Sequence, residues 1–269
     1  MNRNANQSPD SSAGSPVLPL ADGARGSARC SVAARATAAA DSSGLPIRTR
    51  KRRERRAADG DWLLWQLMDS AFPTGGFAHS GGLEAAWQHG EVRQREQLFS
   101  FIQAGLQQLG RAGLPLVTAA HAEPERLAEL DRLCDAFTSN HVANRASRTQ
   151  GRAFLTAGQK VFGVSVPESP CLHLAPVFGA CLRQLKVAKQ TAARLFFFSH
   201  LRTLLAAAVR LNIIGPMEAQ RLQHRLAPVA EKTMADCLAL SLEDLAQTAP
   251  LLDLWQGAQD RLYSRLFQS

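Results

Sequence analysis

Apolar residues recur at intervals of three and four along most of the chain beyond residue 60, which is the spacing of a helix with one buried face. Leu98, Ile102, Leu106 and Leu109 show this pattern, and the longest apolar face covers residues 197–211. No run alternates cleanly between polar residues and β-branched or aromatic ones, as a half-buried strand would. The pattern predicts an all-α fold, a single helical bundle of roughly eight to ten helices.

Residue usage and helix breakers agree with this prediction. The chain holds 36 Leu but only 16 Val and Ile together, a ratio that favours helix over sheet. Gly215 and Pro216 are placed to end one helix and begin the next. Ser241 and Asp244 have the spacing of a capping box. The apolar spacing also predicts one long helix that runs without a break from Leu127 to His141.

Residues 1–58 have a different composition, rich in Ser, Ala, Gly, Pro and Arg and without aromatic residues. Such a segment buries too little apolar surface to offset the entropy of ordering it. We therefore predict a disordered extension over 1–58 and one helical domain over 59–269. Of the net charge of +8, residues 1–60 supply +6 (11 basic and 5 acidic side chains) and the remainder supplies +2. The high isoelectric point therefore describes mainly this extension.

The basic run at 48–56 leaves several interpretations open. It is typical of a localisation or nucleic-acid patch, so one alternative function is a helical nucleic-acid-binding regulator that acts through the extension. An Arg- and Ser-rich, acid-poor composition is also typical of an organelle transit peptide. The third interpretation is a solvated extension, or a start codon assigned too far upstream.

Patterns that would indicate catalysis are missing from the sequence, among them a P-loop and the Gly-x-Ser-x-Gly, His-Glu-x-x-His and Cys-x-x-Cys motifs. We predict a protein that is not an enzyme and has no cofactor. The carboxylates of Asp131 and Asp135 are expected on solvated helix faces. Cys171, His173 and Cys181 would suit Ni, Zn or Cu if they converged, but half-buried core cysteines are the alternative, and we predict no metal ligands.

Cysteine number and hydropathy indicate the compartment. Five widely spaced Cys residues in a chain of this length favour a reducing environment. The most apolar stretch is interrupted by His200, Arg202 and Arg210, so no membrane span is expected. A cytoplasmic protein is the prediction.

Residues 69–84, with the sequence DSAFPTGGFAHSGGLE, break the helical pattern in an unusual way. We expect Gly76 to use a positive φ angle, Phe77 to be exposed as a ridge for a partner, and Ser80 to cap the next helix. Glu84 would lie in the first turn of that helix, near the positive end of its dipole. A compact turn between two helices is the alternative interpretation.

This segment closely resembles the N-terminal signature of the UreF family of urease accessory proteins. Four later segments are similar to the same family in the same order, so that the resemblance spans about 61–269: residues 144–151, 173–179, 212–220 and 262–269. It implies an all-helical, non-catalytic protein that forms a homodimer. In that family UreF joins UreD (also called UreH) to the GTPase UreG, and the complex inserts nickel into apo-urease.

The resemblance also implies where partners bind. Tyr263–Ser269 resembles the family's C-terminal segment, which becomes ordered when UreD binds. Leu262, just before this segment, and Leu266 and Phe267 within it are apolar anchors at helical spacing, although a terminal helix that docks on its own core is the alternative. Arg145 and Arg148 lie along one helical face and suit an acidic partner. The residues expected at the partner interface are Phe72, Pro73, Gly75, Gly76, Phe77, His79, Ser80, Glu84, Arg145, Arg148, Arg265, Leu266, Phe267 and Ser269.

Overall fold

The computed structural model describes residues 60–269, and all regular structure in this range is helical. The predicted all-α bundle is therefore confirmed for these residues. The predicted extension at 1–58, with its basic run, lies outside the described residues.

The helices follow one another with short connections. Their bounds are α1 at 60–68, α2 at Leu83–Gln88, α3 at Arg95–Gln108, α4 at Leu114–Ala122, α5 at Leu127–Phe137, α6 at His141–Phe162, α7 at Leu174–Gln184, α8 at Lys189–Arg210, α9 at Pro216–Cys237 and α10 at Pro250–Ala258. A π-helical turn, Leu109–Gly113, joins α3 to α4, so these two helices form one bent rod.

The core lies where α4, α7 and α8 meet, with α9 packed on the outer side of α8 and α6 on α7. Leu114, Leu182, Leu204 and Leu222 are each at most 2% exposed. Of these, Leu204 belongs to the apolar face predicted over 197–211. Burial of each such side chain stabilises the fold by about 1.5–3 kcal/mol.

Helix α8 carries the most apolar stretch of the described residues. By length and composition alone it is a candidate to cross a membrane, but 56% of its apolar window is buried against the other helices. A helix that is apolar on nearly every side is also what the centre of a bundle requires.

Two predicted helix boundaries are confirmed: Pro216 begins α9, and the Ser241 capping box is present around a 3-10 turn. Two predictions are wrong. Gly215 does not end α8, which ends at Arg210, but is the N-cap of α9. The predicted single helix from Leu127 to His141 is instead two helices, α5 and α6. The Asn140 side chain accepts hydrogen bonds from the first backbone N–H groups of α6, which starts a new helix in a new direction.

Candidate functional site

The segment between α1 and α2, residues 69–82, forms a loop that we call the glycine-rich loop. Gly75, Gly81 and Gly82 have positive φ angles of 72°, 61° and 87°. Gly76 does not, so the predicted reason for a glycine there was wrong. A Cβ atom on Gly76 would lie 3.2 Å from Thr203 Oγ1, so this position is restricted by packing against α8.

Gly82 is restricted both by its backbone and by a neighbour. In addition to its left-handed φ, a Cβ atom at this position would lie 2.9 Å from the backbone nitrogen of Gln256. This glycine therefore lets α10 approach the glycine-rich loop backbone to backbone.

Residues 262–269, which we call the C-terminal segment, run along this loop. Gln268 N donates to Ala78 O at 2.8 Å, and Ser80 N donates to Ser269 O at 2.5 Å. The segment is not helical. The predicted helical spacing of Leu262, Leu266 and Phe267 was wrong, because the backbone groups of the segment bond to the loop and not to one another.

Glu84 holds the C-terminal segment from the other side. Its side chain, in the first turn of α2, is only 1% exposed. Its carboxylate accepts hydrogen bonds from Leu266 N at 2.6 Å, from Phe267 N at 3.1 Å and from Gln259 Nε2 at 2.6 Å. Ser80 Oγ accepts from Glu84 N at 3.4 Å. The N-cap of α2 is Gly82, without a side-chain cap, so the prediction that Ser80 caps this helix was wrong. Glu84 therefore lies near the positive end of the α2 dipole, as expected, and also binds the backbone of the C-terminal segment.

Arg210, at the end of α8, bridges the glycine-rich loop and the C-terminal segment. Its guanidinium donates to Phe77 O and to Leu266 O, and it lies 4.3 Å from the centre of the Phe267 ring. Phe267 is buried beneath it. One side chain thus makes two hydrogen bonds and a cation–π contact that hold both segments at the end of the bundle.

His79 connects the end of the C-terminal segment to a cavity. Its Nδ1 lies 2.6 Å from Ser269 Oγ, whereas its buried Nε2 has no partner among the described residues. Burial, followed by the positive charge of Arg145, lowers the pKa of His79 below its usual value. His79 and His200 line a cavity of about 290 Å³. Burial lowers the pKa of His200 to about 4, so its imidazole is neutral at pH 7.

Asp260 organises a charged edge beside the C-terminal segment. Its carboxylate accepts from Arg145 at 2.8 Å and from Arg265 at 3.0 Å, and lies 3.2 Å from His141 Nε2. The hydrogen bond from Arg145 is the main reason that the pKa of Asp260 is lowered. These groups are at least 30% exposed, so the network sets the orientation of two arginines and adds little stability.

The residues predicted at a partner interface fall into an exposed group and a buried group. Pro73, Phe77, Arg145, Arg265 and Leu266 are exposed, with Phe77 at 72% and Leu266 at 58%. Five other predicted side chains have low exposure and support this surface from within the chain: His79, Ser80, Glu84, Phe267 and Ser269.

Phe72 and Arg148 lie apart from this arrangement. The Phe72 ring packs in the core on the rings of Phe154 and Phe162, at 6.1 and 5.9 Å between centres. Arg148 is half-buried on α6, where its charge acts on Asp135 and Cys171.

Comparison with known proteins identifies this architecture. The family model described as UreF matches residues 92–227. A urease accessory protein F of Arabidopsis thaliana is 40% identical over 222 residues, which cover 77% of this chain and 92% of that protein. The chain belongs to the UreF family. The urease accessory protein F of Oryza sativa subsp. japonica is 38% identical over 222 residues (77% of this chain, 84% of that protein). Urease accessory protein UreF of Bacillus sp. (strain TB-90) is 31% identical over 228 residues, covering 77% and 97% of the two chains.

Three residues that organise the site of this UreF family member were missed by sequence reasoning: Arg210, Gln259 and Asp260. Each is a polar residue at or just beyond the end of a helix, and sequence periodicity assigns such a position to solvent. Their partners are far away along the chain, 175 positions in the case of Gln259 and Glu84. No local motif marks such a pairing.

A second polar cluster lies between α5, α6 and the turn before α7. Asp131 is completely buried and accepts hydrogen bonds from the backbone N–H groups of Cys171, Leu172 and His173 at 2.7, 2.8 and 2.7 Å. The prediction that Asp131 is solvated was therefore wrong. The carboxylate was needed to satisfy the backbone of a tight, buried turn.

The neighbouring Asp135 is partly exposed, and its carboxylate lies 3.0 Å from His173 Nε2. The hydrogen bond from Asn144, followed by that to His173, lowers the pKa of Asp135. Cys171 joins this pair, because its Sγ lies within 4.8 Å of the other two ligand atoms. Cys181 does not; it is buried in the core face of α7. Of the three residues considered for metal binding, Cys171 and His173 therefore lie close together and Cys181 does not. Asp135 is the third group of the cluster instead.

Proposed function

We propose that the protein is a non-catalytic scaffold for urease maturation that links a UreD/UreH homologue to the GTPase UreG while nickel, the cargo, is inserted into apo-urease. It acts as a homodimer in the cytoplasm. The observation that carries this proposal is the composite surface made by the glycine-rich loop and the C-terminal segment in a chain of the UreF family.

The exposed side chains of this surface have the composition of a protein interface. Phe77, Tyr263 and Leu266 are exposed by 72%, 106% and 58%. Arg145 and Arg265 lie beside them, and both guanidinium groups donate hydrogen bonds to the carboxylate of Asp260. Aromatic residues and arginine are enriched at protein interfaces, and a surface without a partner gains nothing from exposing apolar side chains beside them.

The construction of the surface also suits binding. Glu84 and Arg210 hold the backbone of the C-terminal segment, so its exposed side chains are presented from a defined geometry. A pre-organised surface loses less conformational entropy when a partner binds. The buried predicted residues contribute by holding this geometry, while nucleotide hydrolysis is assigned to the GTPase, since the sequence has no P-loop.

Complex formation tests the proposal. The full chain is mixed with UreD and UreG homologues from the same source under reducing conditions and analysed by size-exclusion chromatography. We expect co-elution with one or both, and Phe77→Ser and Leu266→Ser each to weaken binding about 30-fold, the effect of losing a hot-spot residue worth about 2 kcal/mol.

Val161→Ser is the matched control, because Val161 is 50% exposed and lies 16 positions beyond Arg145 on α6, about 24 Å along the helix. We expect this variant to bind as the unchanged chain does. Absence of a complex with either partner would contradict the scaffold function. Equal loss in the control would show that the composite surface is not the interface.

A further inference from the structure

We propose that Asp135, Cys171 and His173 form a binding site for one divalent transition-metal ion of borderline softness, with Zn²⁺ as its representative. One carboxylate oxygen, one sulfur and one imidazole nitrogen lie within 4.8 Å of one another. Sulfur, nitrogen and oxygen donors in one set suit Zn²⁺ and its neighbours, whereas Mg²⁺ and Ca²⁺ prefer oxygen alone. The proposal does not depend on the scaffold function.

The backbone of the turn is arranged before any ion binds. Asp131 accepts the N–H groups of Cys171, Leu172 and His173, together with the hydroxyl of Ser169 at 2.6 Å. Leu172 has a φ of 63°, which a residue other than glycine adopts at a cost of about 1–2 kcal/mol. These bonds hold a strained turn whose effect is to bring Cys171 and His173 to the same side.

Helix α6 is shaped to receive this turn. A Cβ atom on Gly151 would lie 2.0 Å from Leu172 O and 2.7 Å from the carbonyl carbon of His173. Only glycine therefore allows the turn to lie directly on α6. This close contact fixes the distance between His173 and the side chains of α5 and α6.

The imidazole of His173 has the arrangement of a metal ligand supported by a second group. Its Nδ1 lies 3.1 Å from Ser147 Oγ, which also accepts from Leu174 N at 3.2 Å. Without an ion, Nε2–H donates to Asp135. An ion would bind the other tautomer, in which Nδ1–H donates to Ser147 Oγ and the Nε2 lone pair is released for the ion. Metal-bound histidines in proteins almost always donate their other N–H group in this way.

The distance between the His173 and Asp135 ligand atoms needs only a small adjustment to fit a tetrahedral ion. His173 Nε2 and Asp135 Oδ1 are 3.0 Å apart, a hydrogen-bond distance. Two ligands of a tetrahedral Zn²⁺ ion at about 2.0–2.2 Å lie about 3.4 Å apart, so these atoms need to separate by only about 0.4 Å. The Asp135 side chain, 41% exposed, can make this shift and leaves the remaining ligand position open to water.

One positive charge opposes the ion. Arg148 lies close enough to act electrostatically on both Asp135 and Cys171. The buried carboxylate of Asp131 offsets this charge. We therefore expect Arg148→Ala to strengthen metal binding, a result that a purely structural hydrogen-bond cluster would not produce.

The test uses the untagged full chain with a thiol-free reductant. Zn²⁺ is titrated by calorimetry, and Co²⁺ serves as the spectroscopic probe, because a thiolate ligand produces a charge-transfer absorption band. We expect Cys171→Ser and Asp135→Asn each to weaken Zn²⁺ binding at least tenfold and Cys171→Ser to abolish the Co²⁺ band. Ser147→Ala, a positioning change, should weaken binding about 10–100-fold.

Cys237→Ala is the matched control, since this thiol lies on α9 against Gly110, outside the cluster. We expect it to bind both ions as the unchanged chain does. Circular dichroism establishes that each variant is folded, and Zn²⁺ should raise the Tm of the unchanged chain but not of Cys171→Ser. Absence of binding, or binding that Cys171→Ser leaves unchanged, would overturn the proposal.

Discussion

Replacement of Glu84 by Gln isolates the interaction that holds the C-terminal segment. The side chain keeps its size, but one of the two carboxylate oxygens becomes an NH₂ group and the charge is lost. Glu84 accepts from Leu266 N with one oxygen and from Phe267 N and Gln259 Nε2 with the other. After the change, at least one of these donors faces another donor inside a buried site.

The size of the effect follows from these contacts. Hydrogen bonds to a charged group contribute about 1.5–3 kcal/mol each, and a buried donor left without an acceptor costs about 1–3 kcal/mol, so losing the bonds to one oxygen costs about 3 kcal/mol. A difference of about 1.4 kcal/mol changes an equilibrium constant tenfold. Local opening of the C-terminal segment should therefore become about 100-fold more frequent, while the helical core keeps its stability.

Hydrogen exchange measures this opening directly. We expect the amides of Leu266 and Phe267 to lose about 100-fold of their protection in Glu84→Gln, and amides of α4 and α7 to keep theirs. Glu91→Gln is the matched control, because Glu91 is an exposed glutamate just beyond α2. Unchanged protection at Leu266 and Phe267 would refute the assignment of Glu84 as the anchor. A uniform loss throughout the core would show that Glu84 stabilises the whole fold instead.

Three further changes test other contacts. Gly82→Ala should lower the free energy of unfolding by at least about 2 kcal/mol in urea denaturation, since it combines a left-handed φ with a Cβ atom 2.9 Å from Gln256 N; a smaller loss would mean that α10 moves aside. The unfolded chain binds a proton at His200 near pH 6.5 and the folded chain only near pH 4, so stability should fall by up to about 3 kcal/mol as the pH drops through this window. His200→Gln should remove this part of the pH dependence in the same assay, and the exposed His224→Gln should retain it. Asp260→Asn should cost at most about 1 kcal/mol in thermal unfolding, because its ion pairs are exposed, and a larger loss would show that the charged edge is a structural element.

The secondary structure was largely predictable from sequence. Apolar spacing located several of the helices, and Pro216 and Ser241 marked boundaries that the structure confirms. Each of these signals acts over a few residues, through the helical repeat or through a cap. The break at Asn140 was missed because the apolar period continues across it, and the cap there is a single side chain.

The site was predictable only in part. Segments 69–84 and 262–269 were each selected by their sequence, and Phe77 is exposed as predicted. The helical form of the C-terminal segment and the positive φ of Gly76 were predicted wrongly. The conformation of the C-terminal segment depends on the glycine-rich loop, which is distant in sequence. At Gly76 the space for a side chain is limited by Thr203, which is also distant in sequence.

The sequence by itself determined that the chain beyond residue 60 is a helical bundle of the UreF type, because periodicity and short motifs are local properties. Only the tertiary structure decided what the buried polar groups do. Glu84 and Asp131 look like surface carboxylates on helices, yet one binds backbone groups 182 positions away and the other binds a turn 42 positions away. A buried carboxylate must find hydrogen-bond donors, and which donors are within reach is determined by how the helices pack.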